Sequence, residues 1–381
     1  MTAIAAASRR LGRTLSAASQ ASELPAAARI RRCLALLFGV YAAVLLITTL
    51  SRGDIPSGAS ILVAFGAIAL YMNRGGRFLR DWLPVLVGFV AYGAAGSFAR
   101  NLKFGVHYLP QLDADRLIGF GTLPTVWLQH HLYHGRTGPL EIATTLLYLS
   151  HFFVPIVFAF WLWSSGRGEA FTALMYGLLT ACVLAEITFV VAPTAPPWMA
   201  SEHGLAPPIH HLFRDTLYDL HFSKAAEFIG NPKNYDAVAA MPSLHAAWPI
   251  VSLLVARRYG LPRPARLLLG AQFVGVAFAI VYTGEHYVAD ALVGVGYAVA
   301  ASWIVRRVMS RTAARASSEE RSRILMRVAS ATRVVVNSES GQTLVEYVLI
   351  LAFVSILGIA GLTLIGGDVV GLLSQAVNAF P

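Results

Sequence analysis

Residues 139–192 read PLEIATTLLYLSHFFVPIVFAFWLWSSGRGEAFTALMYGLLTACVLAEITFVVA. Two apolar runs, near 139–163 and 170–192, are separated by a short joint that carries Arg167. A helix of about 20 apolar residues crosses the roughly 30 Å hydrocarbon layer of a bilayer, and both runs reach that length.

The same pattern extends in both directions. Further apolar windows fall near 33–50, 58–72, 83–99, 242–256, 267–284, 286–305 and 343–365, with most of the arginine in the short segments between them. Of the 381 residues, 56% are hydrophobic and 13% charged, with a mean hydropathy of +0.60. Soluble domains carry roughly 25% charged residues. The expected fold is therefore an all-α, polytopic helical membrane protein.

The formal charge of +10 does not point to nucleic acid, because the arginines border apolar spans, where they set topology and meet anionic headgroups. Cys33 and Cys182 both fall within spans and suggest no disulfide framework. Residues 1–32, rich in Ala, Ser and Arg, read as a cytoplasmic flank.

Orientation follows from the basic residues. Arg29, Arg31 and Arg32 precede the first span and place the N-terminus in the cytoplasm. Alternation then puts inside the loops with Arg74, Arg77 and Arg80, with Arg167, and with Arg257, Arg258, Arg263 and Arg266, together with the segment from Arg306 to Arg333. Outside fall the stretch 100–138, the loop 193–241 and the turn around Glu285. The outer segment is unusual in carrying Arg100, Lys103, Arg116 and Arg136.

Two short sequences stand out. Met241-Pro242-Ser243-Leu244-His245-Ala246-Ala247 opens the sixth span, and Tyr282-Thr283-Gly284-Glu285-His286-Tyr287-Val288-Ala289-Asp290 joins the seventh to the eighth. The topology puts both on the outer face. Pro242 suits the first turn of a helix, whose free amides and dipole would hold a phosphate near Ser243. His286 and Asp290 are four apart, so one helical face carries both. A carboxylate there can hold one imidazole nitrogen and leave the other free to attack, while His245 serves as general acid and base. The plain alternative is a pair of interfacial histidines with a locally paired aspartate, although ionisable residues within spans are costly and usually functional.

These residues resemble the type-2 phosphatidic acid phosphatase superfamily, and more closely its branch that includes the fungal inositol phosphorylceramide synthases. The resemblance rests on the Pro-Ser-x-His element and the later His-x-x-x-Asp, and covers roughly residues 80–306. It implies a six-helix membrane bundle, a phosphohistidine intermediate and no metal or other cofactor, with His286 as nucleophile, Asp290 as its orienting carboxylate and His245 as acid–base. The chain departs from the phosphatase pattern in two ways. Ala279 and Ile280 stand where that pattern has Ser-Arg, and the upstream Lys-x6-Arg-Pro is not evident. The synthase-like branch lacks that arginine too and tends to carry a basic residue ending an earlier span. Arg100, with Lys103 one turn later, fits that role; ordinary snorkelling to headgroups is the alternative. His151, three residues after Tyr148, looks like a pocket residue of the same branch or a structural histidine. Ser243 and Tyr282 complete the expected substrate-binding set.

The outer loop Ala192-Pro193-Thr194-Ala195-Pro196-Pro197-Trp198 is stiffened by proline and reads as a wall of the site or as bracing. The stretch from Gln111 to His134 reads as an interfacial helix over the bundle. His130, His131 and His134, with His203, His210 and His211, invite a zinc reading but lack a Cys or carboxylate partner, so wet interfacial histidines are expected.

The expected organisation is a basic N-terminus (1–32), accessory spans (33–80), the enzyme core (81–306), a cytoplasmic linker (307–340) and a membrane tail (341–381). In that tail Gly341-Gln342-Thr343-Leu344-Val345-Glu346-Tyr347 precedes an apolar helix and resembles the Flp-type pilins of bacterial tight-adherence systems. Their precursors are cut after Gly, with Glu and Tyr at the fifth and sixth positions beyond, so the resemblance implies processing at Gly341, recognition through Glu346, and a prepilin peptidase or pilus components as partners. A plain ninth anchor is the alternative.

The expectation is a lipid phosphotransferase or phosphatase in a bacterial plasma membrane, with lipid phosphates as substrate and membrane lipids around it, and with its site on the extracytoplasmic face. Water or a hydroxyl would resolve the intermediate. The rival from another class is a pilus or secretion assembly protein with a degenerate enzyme core. A transporter fits less well, since no paired broken spans or internal repeats are found.

Overall fold

The computed structural model describes residues 25–51, 58–99, 105–229 and 235–330. Among them lie thirteen α-helices and no strand. The long helices are α1 (Pro25–Ser51), α2 (Gly58–Tyr71), α3 (Gly75–Ala99), α6 (Pro139–Ser164), α7 (Gly168–Val191), α11 (Leu244–Arg258), α12 (Arg263–Tyr282) and α13 (Val288–Ser330). Between them run the short helices α4 (Leu109–Ile118), α5 (Pro124–Leu132), α8 (Pro197–Glu202), α9 (Leu212–Asp219) and α10 (Ser223–Ile229). Five helices are long and apolar enough to cross a membrane: 32–51, α6, α7, α12 and the first 25 residues of α13. The chain is a polytopic helical membrane protein, as its hydropathy predicts.

The core is a bundle of α3, α6, α7, α11, α12 and α13, with α11 packed against α6, α7, α12 and α13. Trp82, Trp163, Phe171, Leu174, Val251 and Val255 fill one end. Arginine borders that end: Arg74 donates to the Ser164 carbonyl, and Arg77 and Arg80 both pair with Asp81, which also accepts from Trp163 Nε1 at 3.0 Å. Tyr148, Phe213, Leu217, Ala246, Val276 and Ile280 form a second cluster towards the other end. Here the amphipathic α9 is held by its apolar side, the Phe213 ring stacking on Tyr148 at 4.0 Å.

Two sequence expectations change in form. The stretch 111–134 is two short helices, because Gly119 and Gly121 break the run and Pro124 starts afresh. The eighth span continues as one helix through the polar segment to Ser330. No Gly or Pro interrupts the sequence between Gly296 and Ser330, and its Ala, Arg, Glu and Leu all favour helix. The pilin-like tail, including Gly341 and Glu346, lies outside the described residues.

Candidate active site

The two motifs meet. Ser243 is the N-cap of α11, its Oγ accepting from the Ala246 amide. Its own N–H donates to the Asp290 carbonyl at 3.1 Å, which ties the first motif to the second directly. Gly294, one turn further along α13, makes that approach possible: a Cβ there would stand 2.3 Å from the Ser243 carbonyl oxygen.

On this frame His286 Nε2 stands 3.0 Å from His245 Nδ1. His286 Nδ1 lies 3.4 Å from Asp290 Oδ2, longer than a formed N–H···O bond. Catalytic hydrogen bonds are often long before substrate tightens them. The same Asp290 oxygen accepts the Tyr287 amide at 2.9 Å, which holds the carboxylate in place, and the residue is fully buried. Asp290 Oδ1 and His245 Nε2 are buried without a hydrogen-bond partner among the described residues.

His151 joins this group. Its ring centroid is 3.9 Å from that of His245, and its Nδ1 donates to the Tyr148 carbonyl at 2.7 Å. A carbonyl only accepts, so that bond puts a proton on Nδ1, and in the neutral ring Nε2 is then the acceptor. Tyr148 also packs on the His245 ring, at 4.3 Å. The expected residues His245, His286, Asp290, Ser243 and His151 are thus brought together.

Tyr282 is placed differently. Its ring is buried at the end of α12 and its hydroxyl donates to Glu141, whose other oxygen accepts the Gly138 amide. Donation from that hydroxyl to a substrate requires the Glu141 bond to break. Ala279 and Ile280, where the phosphatase pattern has Ser-Arg, are buried in the bundle. Arg100 and Lys103 lie outside the described residues.

The turn carrying Glu285 and His286 is held by the expected proline-rich loop, through Trp198, and by further groups that sequence reading did not find. Just beyond the end of α12 and its cap Thr283, Gly284 takes φ +82°, a conformation that suits glycine. Gln129 on α5 donates to both the His210 and the Tyr282 carbonyls, at 2.9 Å each, and accepts the His210 amide. The Trp198 and Leu212 amides donate to the Gly284 and Thr283 carbonyls. His211 Nε2 pairs with Glu285 Oε1 at 2.6 Å, and Trp198 stacks on its ring. From α4, Asp115 accepts the Val288 and Ala289 amides at 3.0 and 2.8 Å and so caps α13. Burial pushes the Asp115 carboxyl up to about 6, against the lowering effect of those two amides.

The proline-rich loop 192–198 is built into the same assembly. Thr194 lies between His107 and Ala239 in short parallel bridges, and its hydroxyl accepts the Met241 amide just ahead of Ser243. Of the outer histidines, His131 Nδ1 donates to the Trp127 carbonyl and its ring stacks on Trp127. No group of three or more His, Cys, Asp or Glu is gathered for a metal among the described residues.

The profile of the PAP2 superfamily matches residues 112–304, which include the short helices α5, α8, α9 and α10 and both histidine motifs. The chain is also similar to a phosphoinositol dihydroceramide synthase of Bacteroides thetaiotaomicron, at 24% identity over 175 residues. That match covers 42% of this chain and 53% of the relative, so the chain spans about half the length of the curated relative it matches. No solved structure matches the chain. With over half its length in the match, both motifs included, the chain belongs to the PAP2 superfamily.

Proposed function

We propose that the chain is a lipid phosphotransferase or phosphatase working through a phosphohistidine on His286. The observation that carries this reading is the 3.0 Å approach of His286 Nε2 to His245 Nδ1, with Asp290 one turn beyond the nucleophile. The Nε2 lone pair forms the N–P bond, and the P–O bond to the leaving alcohol breaks. His245 gives the departing oxygen its proton. His245 then takes a proton from water or a hydroxyl, whose oxygen attacks phosphorus, and the N–P bond breaks. Asp290 holds the Nδ1 proton and offsets the positive charge on the ring.

A phosphorus atom stands about 3–3.5 Å from its nucleophile before attack, so the two imidazoles must part to admit it. Tyr148 and His151 flank His245 and guide that movement. The Leu244 and His245 amides, which precede the first intrahelical bonds of α11 and are not among those already donated by Ser243 and Ala246, can hold the phosphate oxygens. Arg100 and Lys103 would stand in for the missing arginine.

The extracytoplasmic face is supported by the distribution of charge, since the basic loops gather at the ends of α11, α6 and α3 away from His245. Likeness to a phosphoinositol dihydroceramide synthase makes transfer of a phosphoinositol group to a lipid hydroxyl the first reaction to test. The family match ends at residue 304 and does not bear on the pilin-like tail; nothing in the described residues supports pilus partners.

The test is phosphate release and transfer from a panel of lipid phosphates and inositol phospholipids by the purified protein in EDTA. The panel is run with and without a ceramide or polyol acceptor, beside His286→Ala. Turnover that survives EDTA and is lost in the variant is the expected outcome. Equal turnover by wild type and variant on every donor would remove His286 from the chemistry.

A further inference from the structure

A second cavity lies at the opposite end of the bundle from the histidines. It is a cleft of about 930 Å³ between the start of α7, the end of α11 and the middle of α13. The register of two of these helices is known, because Gly294 and Ser243 are in backbone contact. Both helices run away from that contact. At roughly 1.5 Å per residue, Arg258 lies about 22 Å beyond Ser243 and Arg306 about 18 Å beyond Gly294. The two arginines, both exposed and both lining the cleft, therefore sit within about one helical turn of the same depth.

The lining changes character with depth. Leu254, one turn inside Arg258, and Val299 and Trp303, on the inner side of Arg306, make an apolar wall. Val299 and Trp303 are about half exposed, so the wall is open to the bundle's surroundings. Ser302 Oγ, at the boundary, is buried with no hydrogen-bond partner among the described residues. Glu169 also lines the cleft, in the first turn of α7, where the helix dipole offsets its charge. Cationic mouth and apolar throat, in that order from the membrane edge inward, match an anionic headgroup above an acyl chain.

We propose that this cleft binds an anionic phospholipid, its phosphate between Arg258 and Arg306 and one acyl chain along Leu254, Val299 and Trp303. The site is separate from the reacting histidines and takes its lipid from the other leaflet.

The experiment is native mass spectrometry of the purified full-length protein with added phosphatidylglycerol, cardiolipin or phosphatidylcholine of matched chains. Wild type is expected to retain one anionic lipid in preference to phosphatidylcholine. Arg258→Gln and Arg306→Gln should each weaken retention about fivefold, and the double substitution about 25-fold. Arg257, Arg263 and Arg266 remain to keep the topology. Val299→Trp fills the throat, leaves both arginines in place, and should also abolish retention. Glycerol phosphate, added in excess, should not compete. Equal retention of phosphatidylcholine, unchanged retention in the double variant, or competition by glycerol phosphate would each overturn the proposal. Full retention in Val299→Trp would do the same, since it would reduce the site to surface charge.

Discussion

The backbone of Gly294 lies against the peptide of Ser243 so closely that no side chain fits between them. That contact, with the Ser243 N–H donated to the Asp290 carbonyl, sets the relative height of α11 and α13. The heights of His245, His286 and Asp290 follow from it. Gly294→Ala should therefore push the helices apart at the site. The expected cost is about 2 kcal/mol of stability from overpacking and a loss of turnover much larger than that stability change explains. Thermal unfolding and turnover measured on the same preparation separate the two.

Asp290→Asn keeps the shape of the side chain and removes its charge. The amide can still accept the Tyr287 N–H through its oxygen, so the fold should persist. Turnover is expected to fall by about 10²–10⁴, as for loss of a group assisting proton transfer and imidazole orientation. Retained expression and unfolding temperature with wild-type turnover would show that the 3.4 Å pair does not serve the reaction.

Asp115 gives a pH signature. Its carboxyl is raised from 3.8 to about 6, chiefly by burial. A raised folded-state value means that the native protein holds this proton more tightly than the unfolded chain. The stabilisation from protonation is full below about pH 4 and is lost as pH rises through about 6. Asp115→Asn cannot titrate, so the stability difference between wild type and variant should move in favour of wild type on acidification from pH 7.5 to 4.5. Parallel curves across that range would contradict the assignment.

Tyr282→Phe removes a hydroxyl from a buried carboxylate. Glu141 keeps the Gly138 amide as a partner but loses the tyrosine. Destabilisation of about 1–3 kcal/mol is expected for such an unpaired buried group. If Tyr282 also binds substrate, KM will rise with it; unchanged KM with lowered stability identifies a brace.

The long helices were legible because lipid-exposed and core helices alike are apolar for most of their length, although among the described residues five of them, without those of windows 58–72, 83–99 and 242–256, are long and apolar enough to cross a membrane. The windows 139–163 and 170–192 became Pro139–Ser164 and Gly168–Val191. The window 242–256 became Leu244–Arg258, and Pro242, expected in the first turn, instead precedes the cap, because the Ser243 side chain takes the N-cap position. Convergence of His245 with His286 was legible too, since span parity put both on one face.

What escaped the sequence was the outer assembly. Gln129 holds Tyr282 across 153 positions, and Asp115 caps α13 across 174. Neither spacing leaves a periodic signal, and both residues sit in short helices whose partners are peptide groups rather than matching side chains. His211 and Glu285 were visible as residues, but their pairing depends on how the loop 193–241 folds back. The end of the eighth span was also hidden, because lost hydropathy marks the edge of a membrane and not the end of a helix.

The most direct test of the central claim is a covalent trap. The protein is mixed with a lipid phosphate carrying radiolabelled phosphorus, quenched in alkali within the first turnover, and the label mapped. The account predicts an acid-labile, alkali-stable label on the peptide containing His286, absent in His286→Ala. Turnover with no label on that peptide, or label that persists in His286→Ala, would contradict it.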